Sequence, residues 1–239
     1  MSLAIELKSI DVFANKDKQL LYNLSFDIAQ GQFVAVLGEN GAGKTSLLDL
    51  LMGFRRPAKG SITIGGLNAS DDNWPQRASI AYLSEKVDIP GDWSVREFLS
   101  FNQHFFSNYD KASEARLLRE FKVEPSARLG GMSAGEIRRA QIVAGLSANP
   151  KLIIIDEITA VLDIVGRRLL MRELARINKE HSTTVVLATN ILEDLQNYIS
   201  HILMMSAGKS SRAESLTEVL RGKASHEFSQ VIADRLETT

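Results

Sequence analysis

The sequence predicts an α/β fold: a mixed, mostly parallel sheet with an antiparallel β part at its N-terminus and an inserted α-helical subdomain. Strands and helices alternate from about residue 150 onward, the pattern of a parallel sheet covered on both faces. The opening residues instead form two apolar-alternating runs, as antiparallel strands do. Between 93 and about 123 the apolar period turns helical and stays so, which sets those residues apart from the sheet.

The elements follow in order. Residues 5–12 and 20–28 make the opening pair, Gln30-Gly31 turns, and Gln32-Phe33-Val34-Ala35-Val36-Leu37 reads as a buried strand. The next residues, Gly38-Glu39-Asn40-Gly41-Ala42-Gly43-Lys44-Thr45, lead into a helix over 46–52. Glycines 38, 41 and 43 permit positive φ and turn backbone N–H groups inward, a nest for phosphate oxygens at a helix start. Lys44 is placed to reach the β- and γ-phosphates of a nucleotide, and Thr45 to offer a hydroxyl to Mg²⁺. A turn around Pro57, a strand over 61–66, a polar linker over 68–76 and a short strand over 79–83 come next. The helical stretch puts Phe98, Phe101 and Phe105 on one face, then Ala115, Leu118 and Phe121. From Ser133 the expected run is helix, strand 151–155, helix 166–180, strand 184–188, helix 191–198 and strand 202–205. Residues 206–239 are expected to be a turn with one or two surface helices.

Composition narrows the function classes. The 239 residues carry 28 Lys and Arg against 29 Asp and Glu, a formal net charge of −1, with no basic stripe to hold a nucleic acid. Without cysteine there are no disulfides and no thiolate nucleophiles or ligands, which suits a reducing compartment. No apolar run approaches the roughly 18 residues of a membrane span, and the N-terminus lacks the charged-then-apolar pattern of a signal peptide. Any membrane work therefore falls to another chain. The four histidines share no metal-ligand spacing.

Two further motifs carry chemistry. Leu152-Ile153-Ile154-Ile155-Asp156-Glu157 ends an aliphatic strand in two carboxylates, where open α/β sheets bind ligands. Asp156 suits Mg²⁺ held through its water shell, and Glu157 suits polarising an attacking water. Met132-Ser133-Ala134-Gly135-Glu136 opens a helix with a Ser-x-x-Glu capping box at the positive end of the helix dipole, and continues Ile137-Arg138-Arg139. In this order the motifs resemble those of the ATP-binding cassette (ABC) family, over the chain up to about Gly208. The pentad is similar to the family's LSGGQ signature, with Met132 for Leu and Ala134 for Gly. Residues 157–163 resemble its catalytic glutamate and D-loop, with Ile158 in place of Pro.

The resemblance implies one domain over 1–239: a P-loop, RecA-like core over 1–87 and 136–205 that includes the antiparallel β part, a helical subdomain over 88–135 carrying the signature, and a tail over 206–239. It implies a subunit that binds and hydrolyses ATP with Mg²⁺ and powers a separate transmembrane permease, sitting in the cytoplasm at the inner face of the cell membrane, with no nucleic-acid partner. Its working unit is a head-to-tail homodimer or heterodimer, in which Ser133, Gly135 and Glu136 of one subunit close over the phosphate loop of the other. The implied nucleotide set is Gly38, Asn40, Gly41, Gly43, Lys44, Thr45 and Ser46, with Phe13 stacking on the purine by position; a plain core phenylalanine is the alternative for Phe13. Glu157 and Lys44 are catalytic, Asp163 marks the D-loop, and Thr45 and Asp156 hold Mg²⁺.

Two positions depart from the family pattern. Glu85 stands where the family has a glutamine, leaving an anionic ligand for Mg²⁺ and a catalytic-site neighbour. Asn190 stands where it has the switch histidine, offering a shorter donor that never carries charge. Loss of one well-placed donor lowers phosphoryl-transfer turnover by around a hundredfold, so the expectation is slow hydrolysis. The alternative is a nucleotide-switched dimerisation module with little or no turnover. The helical stretch and the Asp163-Ile164-Val165-Gly166-Arg167-Arg168 run resemble ATPases serving type-2 ABC exporters, which implies export. The phenylalanine stripe either forms the core of the helical lobe or faces a groove for the permease.

Overall fold

A computed structural model describes residues 2–69, 79–84, 89–157, 162–192, 195–223 and 227–237. The chain opens with two long strands, β1 (Leu3–Asn15) and β2 (Lys18–Ala29), followed by β3 (Phe33–Leu37) and helix α1 (Lys44–Leu51). Then come β4 (Lys59–Ile64), β5 (Leu67–Asn68) and β6 (Ile80–Ser84). Helices α2 (Val95–Gln103), α3 (Lys111–Glu120) and α4 (Ala134–Ser147) lead to β7 (Leu152–Asp156), α5 (Ile164–His181), β8 (Thr184–Ala188) and β9 (His201–Ser206). The tail holds β10 (Lys209–Ser210), β11 (Glu214–Ser215), α6 (Leu216–Leu220) and α7 (Phe228–Glu237).

The main sheet runs β10-β9-β3-β8-β7-β6, with β11 also on β9; β9, β3, β8, β7 and β6 pair in parallel. Every residue of β3, β7 and β8 is buried, as a parallel sheet covered on both faces requires. Period-2 alternation splits these strands between two cores. Ala35, Ile153, Ile155 and Leu187 face the helices, whereas Val34, Val36, Ile154 and Val186 face α1 and the antiparallel sheet β2-β1-β4-β5.

In the helical lobe, Ser94 and Glu97 form a capping box at the start of α2, and Asp110 caps α3 by accepting from the Ala112 N–H. The two helices are separate because residues 104–110 leave helical geometry. The lobe is tied to the core by an ion pair, Arg116 Nη2 to Glu173 Oε2 at 2.8 Å, and Arg176 holds the same oxygen at 3.1 Å.

Three expectations change. The phenylalanine stripe divides: Phe98 is buried, while Phe101 and Phe105 are 49% and 56% exposed, and Phe101 packs edge to face with both Phe105 and Trp93. In place of a helix over 191–198, the described residues hold one 3₁₀ turn, Leu195–Asn197. The tail is no surface appendage, since β10 and β11 extend the main sheet and Phe228, Val231 and Ile232 enter the core. Most of the 68–76 linker and Glu85 lie outside the described residues. Among the described residues no helix is long and apolar enough to cross a membrane.

Candidate nucleotide-binding site

Parallel pairing in the order β9-β3-β8-β7-β6 brings the carboxyl ends of five strands to one edge of the sheet. The glycine loop leaves β3, Asn190 follows β8, Glu157 follows β7, and β6 ends at Ser84, one residue before Glu85. Ligands of open α/β sheets bind at such an edge.

The loop's glycines are required sterically. A Cβ on Gly38 would sit 2.3 Å from the Met205 carbonyl oxygen of β9. Gly43, with φ 103°, is the left-handed N-cap of α1 and leaves the first N–H groups of that helix facing the cleft. The Lys44 ammonium folds back onto the loop, donating to the Gly38 and Glu39 carbonyls at 2.8 and 3.1 Å. Burial pulls its pKa below the ordinary lysine range, opposed by the charges of Glu157 and Asp156. A lysine with anions near but only carbonyls in its grasp is poised to take a phosphate instead.

Thr45 donates its hydroxyl to Asp156 Oδ1 at 3.3 Å, which joins the loop to the end of β7. Asp156 is buried, and Glu157 turns sharply away at φ 54° while its N–H donates to the Ala188 carbonyl at 3.2 Å. That left-handed step aims Glu157 into the cleft. The cleft has a volume of about 630 Å³, and Asn40, Gly41, Gly43, Lys44, Thr45 and Ser46 also line it. Gly38 and Asn190 border the adjoining hollow, where the Asn190 amide donates to Asn40 Oδ1 at 3.0 Å.

The remaining expected residues are placed elsewhere. Phe13 sits on β1, 40% exposed, paired in register with Gln19; Gln19 lines the cleft and Phe13 does not. Ser133 caps α4, its hydroxyl donating to Glu136 Oε2 at 2.7 Å, and the bond from Ser133 holds the Glu136 carboxyl below its ordinary range. Ser133 and Glu136 are exposed, Gly135 is half-buried, and none of the three lines the cleft of its own chain. Asp163 caps α5 by accepting from the Gly166 N–H at 2.8 Å, and its other oxygen takes Arg139 Nη2 of α4 at 2.8 Å. Sequence reasoning missed the far wall, made by Lys18, Gln19, Leu20 and Tyr22 of β2 with Ala207 and Gly208. No motif marks these residues; the register of the opening hairpin and the turn after β9 bring them there.

A family profile described as ABC transporter matches residues 21–160, from within β2 to just past Glu157. The chain belongs to this family. Among curated relatives of this ABC ATPase, the energy-coupling factor transporter ATP-binding protein EcfA2 of Halalkalibacterium halodurans is 30% identical over 206 residues, 80% of this chain and 72% of that protein. The Nod factor export ATP-binding protein I of Rhizobium meliloti is 30% identical over 213 residues, covering 87% of this chain and 63% of that one. Among solved structures, the ATP-binding cassette MJ0796, in a dimeric post-hydrolysis state with ADP and Pi, matches with a TM-score of 0.78 at 21% identity, over 89% of this chain and 98% of that one.

Proposed function

We propose that this ABC ATPase binds Mg-ATP between its own phosphate loop and the signature of a second subunit, hydrolyses it slowly, and thereby drives a separate membrane permease in the direction of export. The observation that carries this reading is the convergence of Lys44, the Thr45–Asp156 pair and Glu157 on one cleft at the carboxyl edge of the sheet.

ATP phosphates take the N–H nest of residues 38–45, and Lys44 exchanges the Gly38 and Glu39 carbonyls for phosphate oxygens. Glu157 orients a water against the γ-phosphorus and accepts its proton. The new P–O bond forms as the bond to the β,γ-bridging oxygen breaks, and ADP and phosphate result. Asn190 leaves Asn40 to place its amide on the γ-phosphate. The Thr45 hydroxyl and the Asp156 carboxylate are the hard oxygen donors Mg²⁺ prefers, and the ion, when bound, neutralises phosphate charge. Glu85, outside the described residues, is a further proposed oxygen donor.

The adenine, on this reading, extends past the cleft to Phe13, whose strand partner Gln19 lines it. Ser133 and Gly135, exposed and half-buried at the start of α4, meet the partner's γ-phosphate head to tail. The dimeric state of the MJ0796 cassette and the Nod factor export relative support the pairing and the direction respectively. The ATPase works at the inner membrane face through its permease.

The test is steady-state phosphate release by the purified protein with Mg-ATP beside Glu157→Gln. Turnover clearly above that variant supports hydrolysis. Turnover equal to it, with ATP-dependent dimerisation intact, overturns hydrolysis and leaves the nucleotide-switched dimerisation module.

A further inference from the structure

A second cavity, of about 840 Å³, opens between the sheet edge formed by β9, β10 and β11 and the tail helices α6 and α7. Its floor is apolar: Met204, Val219 and Val231 are buried members of the helix-side core. Its rim is cationic. Arg235 is already paired with Glu214 at 3.2 Å, and Asp234 accepts from Gln230 Nε2 at 2.7 Å. Lys209, Arg221 and Lys223 make no ion pair among the described residues, although all three line the same space. The Ser210 hydroxyl, on the same wall, is buried and has no hydrogen-bond partner among them.

Lys209, Arg221 and Lys223 are exposed, so their mutual repulsion is screened, and Asp234 puts an anion on the same rim, which still carries a net excess of cations. Like charges gathered around one concavity repel, and a buried hydroxyl without a partner loses about 1–3 kcal/mol of hydration. One kind of occupant relieves both at once: a multiply charged oxyanion on a small apolar body. We propose that this cavity binds a small organic phosphate, with Lys209, Arg221 and Lys223 around the phosphate oxygens, Ser210 donating to one of them, and the apolar part on Met204, Val219 and Val231. Phosphate suits the set better than carboxylate, because three cations and a hydroxyl offer more donors than two oxygens in one plane can use.

The position gives such a site a direct neighbour. Ala207 lines both this cavity and the nucleotide cleft. The Gly208 N–H donates to the Ala42 carbonyl of the phosphate loop at 2.9 Å, and the Tyr22 N–H donates to the Gly208 carbonyl at 2.9 Å. Because the phosphate loop also takes anions, the test must first fill it.

Phenyl phosphate is titrated calorimetrically into the full chain saturated with Mg-ADP, and benzoate is titrated in parallel. Binding of phenyl phosphate is expected, at least about fivefold tighter than benzoate, and the combined Lys209→Gln, Arg221→Gln, Lys223→Gln variant should lose at least about tenfold while Mg-ADP affinity stays within about twofold. Ser210→Ala and the three single substitutions carry the same test if the combined variant fails to fold, each with a smaller loss. No phenyl phosphate binding to the ADP-filled protein, undiminished binding by the variants, or benzoate binding as tightly, overturns the proposal.

Discussion

Replacing Asn190 tests the proposed phosphate contact where the chain departs most from its family's pattern. The Asn190 amide now donates to Asn40 Oδ1 at 3.0 Å in an exposed position. A neutral, solvent-exposed bond of that kind contributes about 0.5–1.5 kcal/mol, so releasing it to a nucleotide costs little. A donor onto a charged phosphate is worth more, about 1.5–3 kcal/mol. If Asn190 makes that bond only as the γ-phosphate leaves, Asn190→Ala lowers kcat by roughly 10- to 150-fold, each 1.36 kcal/mol being about tenfold. Asn190→His restores a longer donor that can carry charge, and kcat should rise by about 10- to 100-fold. Asn40→Ala removes the resting partner; because Asn40 also lines the cleft, its effect is read on nucleotide affinity as well as on kcat. The assay is phosphate release at saturating Mg-ATP, with nucleotide affinity measured separately. An Asn190→Ala enzyme within about twofold of wild type, together with no gain in Asn190→His, would refute the reasoning and move the slow step to Glu85 or to a missing partner subunit.

Two more expectations follow from the geometry. Arg116→Ala leaves buried Glu173 with Arg176 alone, so it should destabilise by about 1–2 kcal/mol, less than the 3–5 of a fully orphaned charge, and lower Tm by about 2–4 °C per kcal/mol. Burial opposes ionisation of Glu173, but Arg116 and Arg176 overcome it and lower its pKa on folding; this stabilisation is present above the unfolded-state value and lost as pH falls through the folded one, so urea melts should show the gap to wild type narrowing in acid. Gly38→Ala places a Cβ 2.3 Å from the Met205 carbonyl, which must push the loop off β9; nucleotide affinity should fall at least about tenfold in a fluorescent-nucleotide titration, and a change under about twofold contradicts the close packing.

What was legible in the sequence was local. The phosphate loop, the Asp156-Glu157 strand end and the Ser133 capping box are each written in a few consecutive residues, whose types and spacing alone point to their chemistry. The rest depended on tertiary pairing. Ile191, Leu195 and Tyr198 have helical spacing, yet the Thr189 hydroxyl accepts the Ile191 N–H at 3.1 Å in a turn and Leu195–Asn197 closes as a 3₁₀ turn, local bonds that compete with a helix. Phe98, Phe101 and Phe105 share a spacing that names one face of a helix, but how much of that face is covered depends on α4, which leaves the outer two rings exposed. The cleft's far wall is set by hairpin register, and register is invisible to motif reading.

The Arg139–Asp163 pair shows how the separate motifs act as one device. Asp163 spends one oxygen on capping α5 and the other on Arg139, seven residues past the start of the signature pentad at Met132. Gly166 lets this happen, since a Cβ there would lie 2.8 Å from Asp163 Oδ1. Six residues before Asp163 in the sequence, Glu157 lines the chain's own cleft. Within one chain, then, the helix that Ser133 opens is bonded to Asp163, six residues after Glu157, the proposed water-activating carboxylate. In the head-to-tail pairing proposed above, the signature belongs to the partner's site and Glu157 to its own. On that proposal, the Arg139–Asp163 ion pair links the helix bearing Ser133 at one site to the stretch of sequence bearing Glu157 at the other.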